Sequence, residues 1–149
     1  MKVNLVDLEN IIVDKLNEGG SVTFSPRGTS MLPMLVEGED TITLVKVNRK
    51  IRKYDVIFYK RDDGAYVLHR VVKIKKDGYV LRGDNQYINE YGIKDDMVIG
   101  ILSSYTKKDR QYSIDTFRYK LYCRFWVNTK LIRRILNKIK HLFRRKKGC

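Results

Sequence analysis

A serine, a histidine and two acids along this chain are the residue types that acyl transfer needs. Ser30 stands in Pro26-Arg27-Gly28-Thr29-Ser30-Met31-Leu32-Pro33, just after a β-rich run, where glycine and proline present a side chain rather than pack it. His69, one of only two histidines, follows in Leu68-His69-Arg70-Val71-Val72, and Asp84 comes next in Leu81-Arg82-Gly83-Asp84-Asn85. A serine hydroxyl is a weak nucleophile. It requires a base to take its proton and donors to hold the oxyanion that forms. An imidazole of ordinary pKa near ~6.5 accepts that proton at neutral pH without the large shift a lysine would need. Asp84 or Glu90 would fix the ring's tautomer and stabilise the imidazolium. Taken singly, the three have ordinary roles too: a turn serine, a hydrogen-bonded strand histidine, a turn aspartate before Asn85.

The elements around these residues are legible from periodicity. Leu5, Leu8, Ile12 and Leu16 recur at three- and four-residue steps before Gly19-Gly20, which predicts an amphipathic helix from Val3 to Leu16. The period then becomes that of strands: Ser21 to Phe24, Thr41 to Val47, Asp55 to Tyr59, Tyr66 to Ile74, Tyr79 to Leu81, and Met97 to Tyr105. Asp63-Gly64 and Asp77-Gly78 lie between such runs and suit tight hairpins. The middle of the chain therefore reads as an antiparallel meander, with His69 on the face of its strand shared by Val67 and Val71. From Phe117 onward Phe125, Trp126, Leu131, Ile132, Ile135, Leu136, Ile139, Leu142 and Phe143 interleave with basic residues, as in basic amphipathic helices. The expected organisation is an N-terminal helix in 1–20, a β-rich domain in 21–110 and a basic helical tail in 111–149, within a mainly β fold.

Charge follows the same division. The net +14 is concentrated in residues 111–149, where 12 Lys and Arg face the single acid Asp115. The body is nearly neutral, which argues against a domain built to track nucleic acid. A helix with large apolar residues on one face and cations on the other suits an anionic membrane surface better than a phosphate backbone. His141 within it is read as another polar-face residue. Cys123 and Cys149 lie far apart without Cys-x-x-Cys spacing, so free thiols are expected and neither a disulfide scaffold nor a metal or other cofactor site is implied. The N-terminal residues lack the apolar run of a signal peptide, and no stretch reaches the ~18 apolar residues of a spanning helix.

Gly28-Thr29-Ser30-Met31-Leu32-Pro33 resembles the Gly-x-Ser-Met-x-Pro nucleophile motif shared by type I signal peptidases and the self-cleaving SOS-repressor peptidases. Tyr54-Asp55-Val56-Ile57-Phe58-Tyr59, Leu68-His69-Arg70-Val71-Val72, Arg82-Gly83-Asp84-Asn85 and Ile99-Gly100 follow in that family's order, so the resemblance spans roughly residues 20 to 105. Most bacterial members use a lysine base. His69 at that position is similar to the branch of the endoplasmic reticulum, archaea and some Gram-positive bacteria, which uses serine and histidine with an aspartate. The resemblance implies a signal-peptidase-like antiparallel β domain with Ser30 as nucleophile, His69 as base and Asp84 as favoured orienting acid, Glu90 being the alternative about six residues on. Three departures stand out. Gly28 occupies the place where many relatives carry a serine that helps bind the oxyanion, the N-terminal spanning helix normal for a signal peptidase is missing, and the extra domain of larger bacterial enzymes is absent.

The resulting expectation is a membrane-associated serine endopeptidase that cuts an extended signal or leader peptide. The peptide adds to an exposed strand edge, and the tail rests peripherally on an anionic membrane, on the cytoplasmic side if the substrate is a leader peptide. A membrane-protein partner would be one source of the missing spanning segment, and no nucleic-acid partner is expected. The competing readings are an idle peptide- or membrane-binding module of the same fold, to which Gly28 lends weight, and a self-cleaving regulator, whose Ala-Gly cleavage site and DNA-binding helix-turn-helix are not visible.

Overall fold

A computed structural model describes residues 5–146 of the chain, and its side chains from 9 to 138. The expected helix start at Val3, the side chains of Leu5, Leu8, Ile139, His141, Leu142 and Phe143, and Cys149 lie outside the described residues. Helix α1 (Leu5–Asn17) buries Ile12 and Leu16 and leaves Ile11 exposed, as its periodicity requires. Gly19 ends it in the left-handed region at φ +80°, with its N–H on the Leu16 carbonyl.

Eight strands follow: β1 (Ser21–Phe24), β2 (Thr41–Val45), β3 (Val56–Lys60), β4 (Tyr66–Lys75), β5 (Gly78–Arg82), β6 (Glu90–Ile93), β7 (Val98–Lys107) and β8 (Arg110–Ser113). They form one open antiparallel sheet in the order β1-β2-β7-β3-β4-β5-β6, with β8 paired to the second half of β7. The meander expected in the middle is β3 to β6, and β7 then returns to lie between β2 and β3. Two short strands escape the sequence pattern. In β6 Gly92 has φ +73°, and every residue of β8 is exposed, so neither carries hydrophobic alternation; pairing to β5 and to β7 makes them strands. β8 also carries the sheet past residue 110, through a hairpin whose Lys108 and Asp109 both have positive φ without a glycine to announce it.

The centre of the sheet is buried on both faces. Val56, Leu68 and Leu102 join Met31, Met34 and Leu35 in one cluster, while Ile57, Tyr59, Val71 and Ile101 form the other, with alternate residues of each strand going to opposite sides. His69 shares the second face with Val71, and Val67 packs there as well. Helix α2 (Phe117–Asn128), capped by the Thr116 hydroxyl, covers the first face with Tyr119 and Cys123. The beginning of the basic tail is thus part of the core. Helix α3 (Lys130–Lys146) follows after Thr129 and leaves Leu131, Ile132, Ile135 and Leu136 exposed. No described helix is long and apolar enough to cross a membrane.

Candidate active site

Ser30 lies in the turn that leaves β1. Gly28, at φ +86°, bends the chain into that turn; a Cβ there would meet open space, so the backbone angle and not crowding requires glycine. Met31, Met34 and Leu35 then anchor the turn in the first cluster, leaving Ser30 half-buried at the surface of the core. Its backbone is held from the other side by the segment after β5. The Asn85 N–H donates to the Ser30 carbonyl at 2.8 Å, and Asn85 Nδ2 donates to the Thr29 carbonyl at 3.2 Å. Gly83 approaches so closely that a Cβ would stand 2.6 Å from the Ser30 carbonyl oxygen. Gly83-Asp84-Asn85 is a backing for Ser30, and this is why its first residue has no side chain. Among the described residues the Ser30 N–H donates to no backbone carbonyl, and a backbone N–H at the nucleophile is the kind of donor an oxyanion needs.

His69 sits on β4 opposite Ile57 of β3 and is almost wholly buried. Its Nδ1 lies 3.0 Å from Glu90 Oε1 and 3.3 Å from the Tyr59 hydroxyl. Tyr59 donates to Glu90 Oε2 at 2.6 Å, and Arg61 donates to both oxygens of the same carboxylate, through Nε at 2.9 Å and through Nη2. Burial opposes ionisation of Glu90, but the hydrogen bonds from Arg61 and Tyr59 prevail and hold its pKa below the ordinary value. Burial, and then the bond to Glu90, pushes the Tyr59 phenol up, so it stays a donor. Burial lowers the pKa of His69, and the Glu90 charge only partly opposes this, which favours the neutral ring. A carboxylate beside Nδ1 favours the tautomer protonated there and leaves the Nε2 lone pair to act as a base.

Asp84 does not occupy the place beside His69 that it is favoured for on sequence. Both its carboxylate oxygens accept from Arg70, Oδ1 from Nε and Oδ2 from Nη2, each at 2.8 Å, and Tyr122 donates to Oδ2 at 3.0 Å. Arg70, next to His69 in sequence, points to the opposite face of β4. Its Nη1 reaches the Tyr54 carbonyl, the Tyr119 hydroxyl and Cys123 Sγ. A buried guanidinium needs a buried counter-ion, and Asp84 is that ion. Glu90, the alternative acid, is the one on the imidazole. Tyr59, Arg61 and Arg70 escape sequence reasoning. Tyr59 carried one signal, since it is two residues from Ile57 and so shares a face with His69 once β3 and β4 are paired in register.

Ser30 and His69 line the same cleft, of about 230 Å³, together with Arg27, Gly28, Tyr66 and Gln86. No family model and no curated protein matches the chain. The chemistry is read from the cleft itself. No hydrogen bond joins Ser30 Oγ to the imidazole among the described residues, a contact that commonly tightens only when substrate is bound. One further property of the cleft is its edge. β3 pairs with β4 from Tyr66 onward, but β5 joins the other side of β4 only from Arg70, so among the described residues the backbone of Tyr66 to Leu68 has no strand partner there. A nucleophile-type hydroxyl, a buried imidazole with a carboxylate behind it, a backbone N–H at the nucleophile and an open strand edge are the parts that acyl transfer from an extended peptide requires.

Proposed function

We propose that the chain is a serine endopeptidase similar to type I signal peptidases of the serine–histidine branch, with Ser30 as nucleophile, His69 as general base and Glu90 as the acid that orients it. The observation that carries this reading is that Ser30 and the buried His69 wall one cleft, with Glu90 3.0 Å from His69 Nδ1. An extended signal or leader peptide adds as a strand along the open edge of β4 at Tyr66 to Leu68, and its scissile carbonyl reaches Ser30. Ser30 Oγ attacks the carbonyl carbon as His69 Nε2 takes the hydroxyl proton, and the oxyanion accepts from backbone N–H groups including that of Ser30. Collapse breaks the C–N bond, with the proton passing from His69 to the leaving amine. Water then hydrolyses the acyl-enzyme by the same route. Small residues before the cut are what the family resemblance implies.

The apolar face of α3, with Leu131, Ile132, Ile135 and Leu136 all exposed beside Arg134 and Lys138, supports peripheral binding to an anionic membrane. Each cation near such a surface contributes about 1 kcal/mol. The idle-module reading draws on the lack of a Ser30–His69 hydrogen bond, and one experiment separates it from the enzyme. New peptide N-termini are compared by mass spectrometry between cells carrying the protein and cells carrying Ser30→Ala. N-termini that require Ser30 identify both the activity and its substrates. Matching profiles from cells that express both proteins would leave a binding module.

A further inference from the structure

The segment from Gly83 to Glu90 serves both halves of the candidate site at once. At one end Asn85 holds the Ser30 and Thr29 carbonyls, and at the other Glu90 lies on His69. Its central residues lie between these two ends, and the opposite side of the segment is gripped by the C-terminal helices. Trp126 Nε1 of α2 donates to the Asp84 carbonyl at 2.7 Å, and Arg133 Nη1 of α3 donates to the same oxygen at 3.2 Å. Arg133 lies over the Trp126 ring, 3.8 Å from its centroid, and its Nη2 donates to the Trp126 carbonyl at 2.8 Å. Asn137 Nδ2, one turn further along α3, donates to the Tyr87 hydroxyl at 2.7 Å. Below them Arg82 Nη2 reaches the Val127 carbonyl at 3.4 Å, and Tyr122 stacks on Trp126 while holding Asp84 Oδ2.

We infer that α2 and α3 form a clasp on the 83–90 segment, in which Trp126 and Arg133 are positioning residues that keep Ser30 and Glu90 in register with His69. The catalytic part of this inference rests on the reading of Ser30 as nucleophile; the clasp itself does not. The Asp84 carbonyl is the point of leverage. It belongs to the residue between Gly83, which is wedged against Ser30, and Asn85, which hydrogen-bonds it. Two donors from two helices converge on that one oxygen, and Asn137 of α3 holds Tyr87 in the middle of the segment, so separating α3 from α2 loosens the segment at its Ser30 end and at its centre. The reactivity of Ser30 is then set by a helix pair whose outer apolar face is exposed, and whatever engages that face acts on the site without touching it.

The test uses Trp126→Phe, which keeps the stacking ring and removes the Nε1 donor, and Arg133→Gln, which removes the cation at the exposed end of the clasp. Two quantities are followed in the full-length protein: amide hydrogen exchange at Asn85, and the rate at which a fluorophosphonate labels Ser30. In that labelling Ser30 Oγ forms a bond to phosphorus, fluoride leaves, and the hydroxyl proton passes to His69. Loss of one hydrogen bond predicts about five- to tenfold faster exchange at Asn85, and labelling slowed by a similar factor in its maximal rate with the half-saturating probe concentration unchanged. Unchanged exchange at Asn85 in both variants would overturn the clasp. Faster exchange with wild-type labelling would overturn the positioning role. If exchange rises but Ser30 of the unaltered protein is never labelled, the clasp stands and the nucleophile reading falls. Should Trp126→Phe fail to fold, Arg133→Gln carries the same comparison.

Discussion

Asp84→Asn and Glu90→Gln should separate structure from chemistry at two acids that look equivalent in the sequence. Arg70 is fully buried, and Asp84, itself 3% exposed, supplies its only carboxylate among the described residues. Replacing Asp84 by asparagine leaves the shape nearly intact but strands a buried cation among neutral partners, at a cost of about 3–5 kcal/mol. For a chain of this size each kcal/mol lowers Tm by about 2–4 °C, so a fall of about 6–20 °C is expected. That is a large part of the ~5–15 kcal/mol by which such domains are stable. Glu90 differs because its side chain and that of Arg61 remain partly open to water. Their pair is screened, and Glu90→Gln should change stability by only about 1 kcal/mol. Its effect lies in the imidazole, which loses the charge that selects the Nδ1 tautomer, and Ser30 labelling should slow by about 10²–10⁴. Thermal unfolding followed by circular dichroism, alongside fluorophosphonate labelling, reads both variants. Asp84→Asn with Tm within about 2 °C of the parent and labelling lost would refute the division of roles and return Asp84 to the histidine.

Four other expectations follow from the same geometry. Gly83→Ala places a methyl group 2.6 Å from the Ser30 carbonyl oxygen, so the turn must move; a loss of about 1–3 kcal/mol in urea unfolding together with slower labelling of Ser30 is expected, and unaltered values of both would contradict the close approach. Because burial lowers the pKa of His69, labelling should reach its plateau before pH 7 with a midpoint below about 6.5, and a midpoint above that would mean a different base. His69 and Glu90 both bind protons more weakly when folded, so each favours the unfolded chain in acid: stability held above the ordinary pKa values should fall as pH drops below about 6.5 and again through the carboxylate range, and a Tm independent of pH there would count against both shifts. Ile132→Glu with Ile135→Glu, both on exposed positions of α3, should abolish co-sedimentation with anionic vesicles while leaving Tm within a few degrees; undiminished sedimentation would remove α3 as the membrane contact.

What the sequence could reveal depended on how local the cause was. Ile12 and Leu16 mark α1 because one face of a helix is written in steps of three and four, and six strands are visible because β-branched and aromatic residues are concentrated in them. β6 and β8 were hidden because their cause is a partner strand and not their own residues. Ser30 and His69 stood out through motif and rarity, yet the choice between Asp84 and Glu90 turned on which face of β4 each acid meets. Arg70, whose neighbour is His69, takes Asp84 to the opposite side. Nothing within a few residues of Asp84 announces that pairing. The core role of α2 was masked in the same way. Its Tyr119 and Cys123 read as part of a basic amphipathic tail until Arg70 and the first cluster are seen to require them.

Trp126 is the only tryptophan in the chain, and it is held between a tyrosine ring and a guanidinium with its indole N–H on the Asp84 carbonyl. The protein therefore carries a built-in optical gauge about one residue away from the hydrogen bond that secures Ser30. A cation over the ring and a stacked phenol set its emission in the closed arrangement, and release of either moves the band. Fluorescence can thus follow the segment behind Ser30 in unlabelled protein.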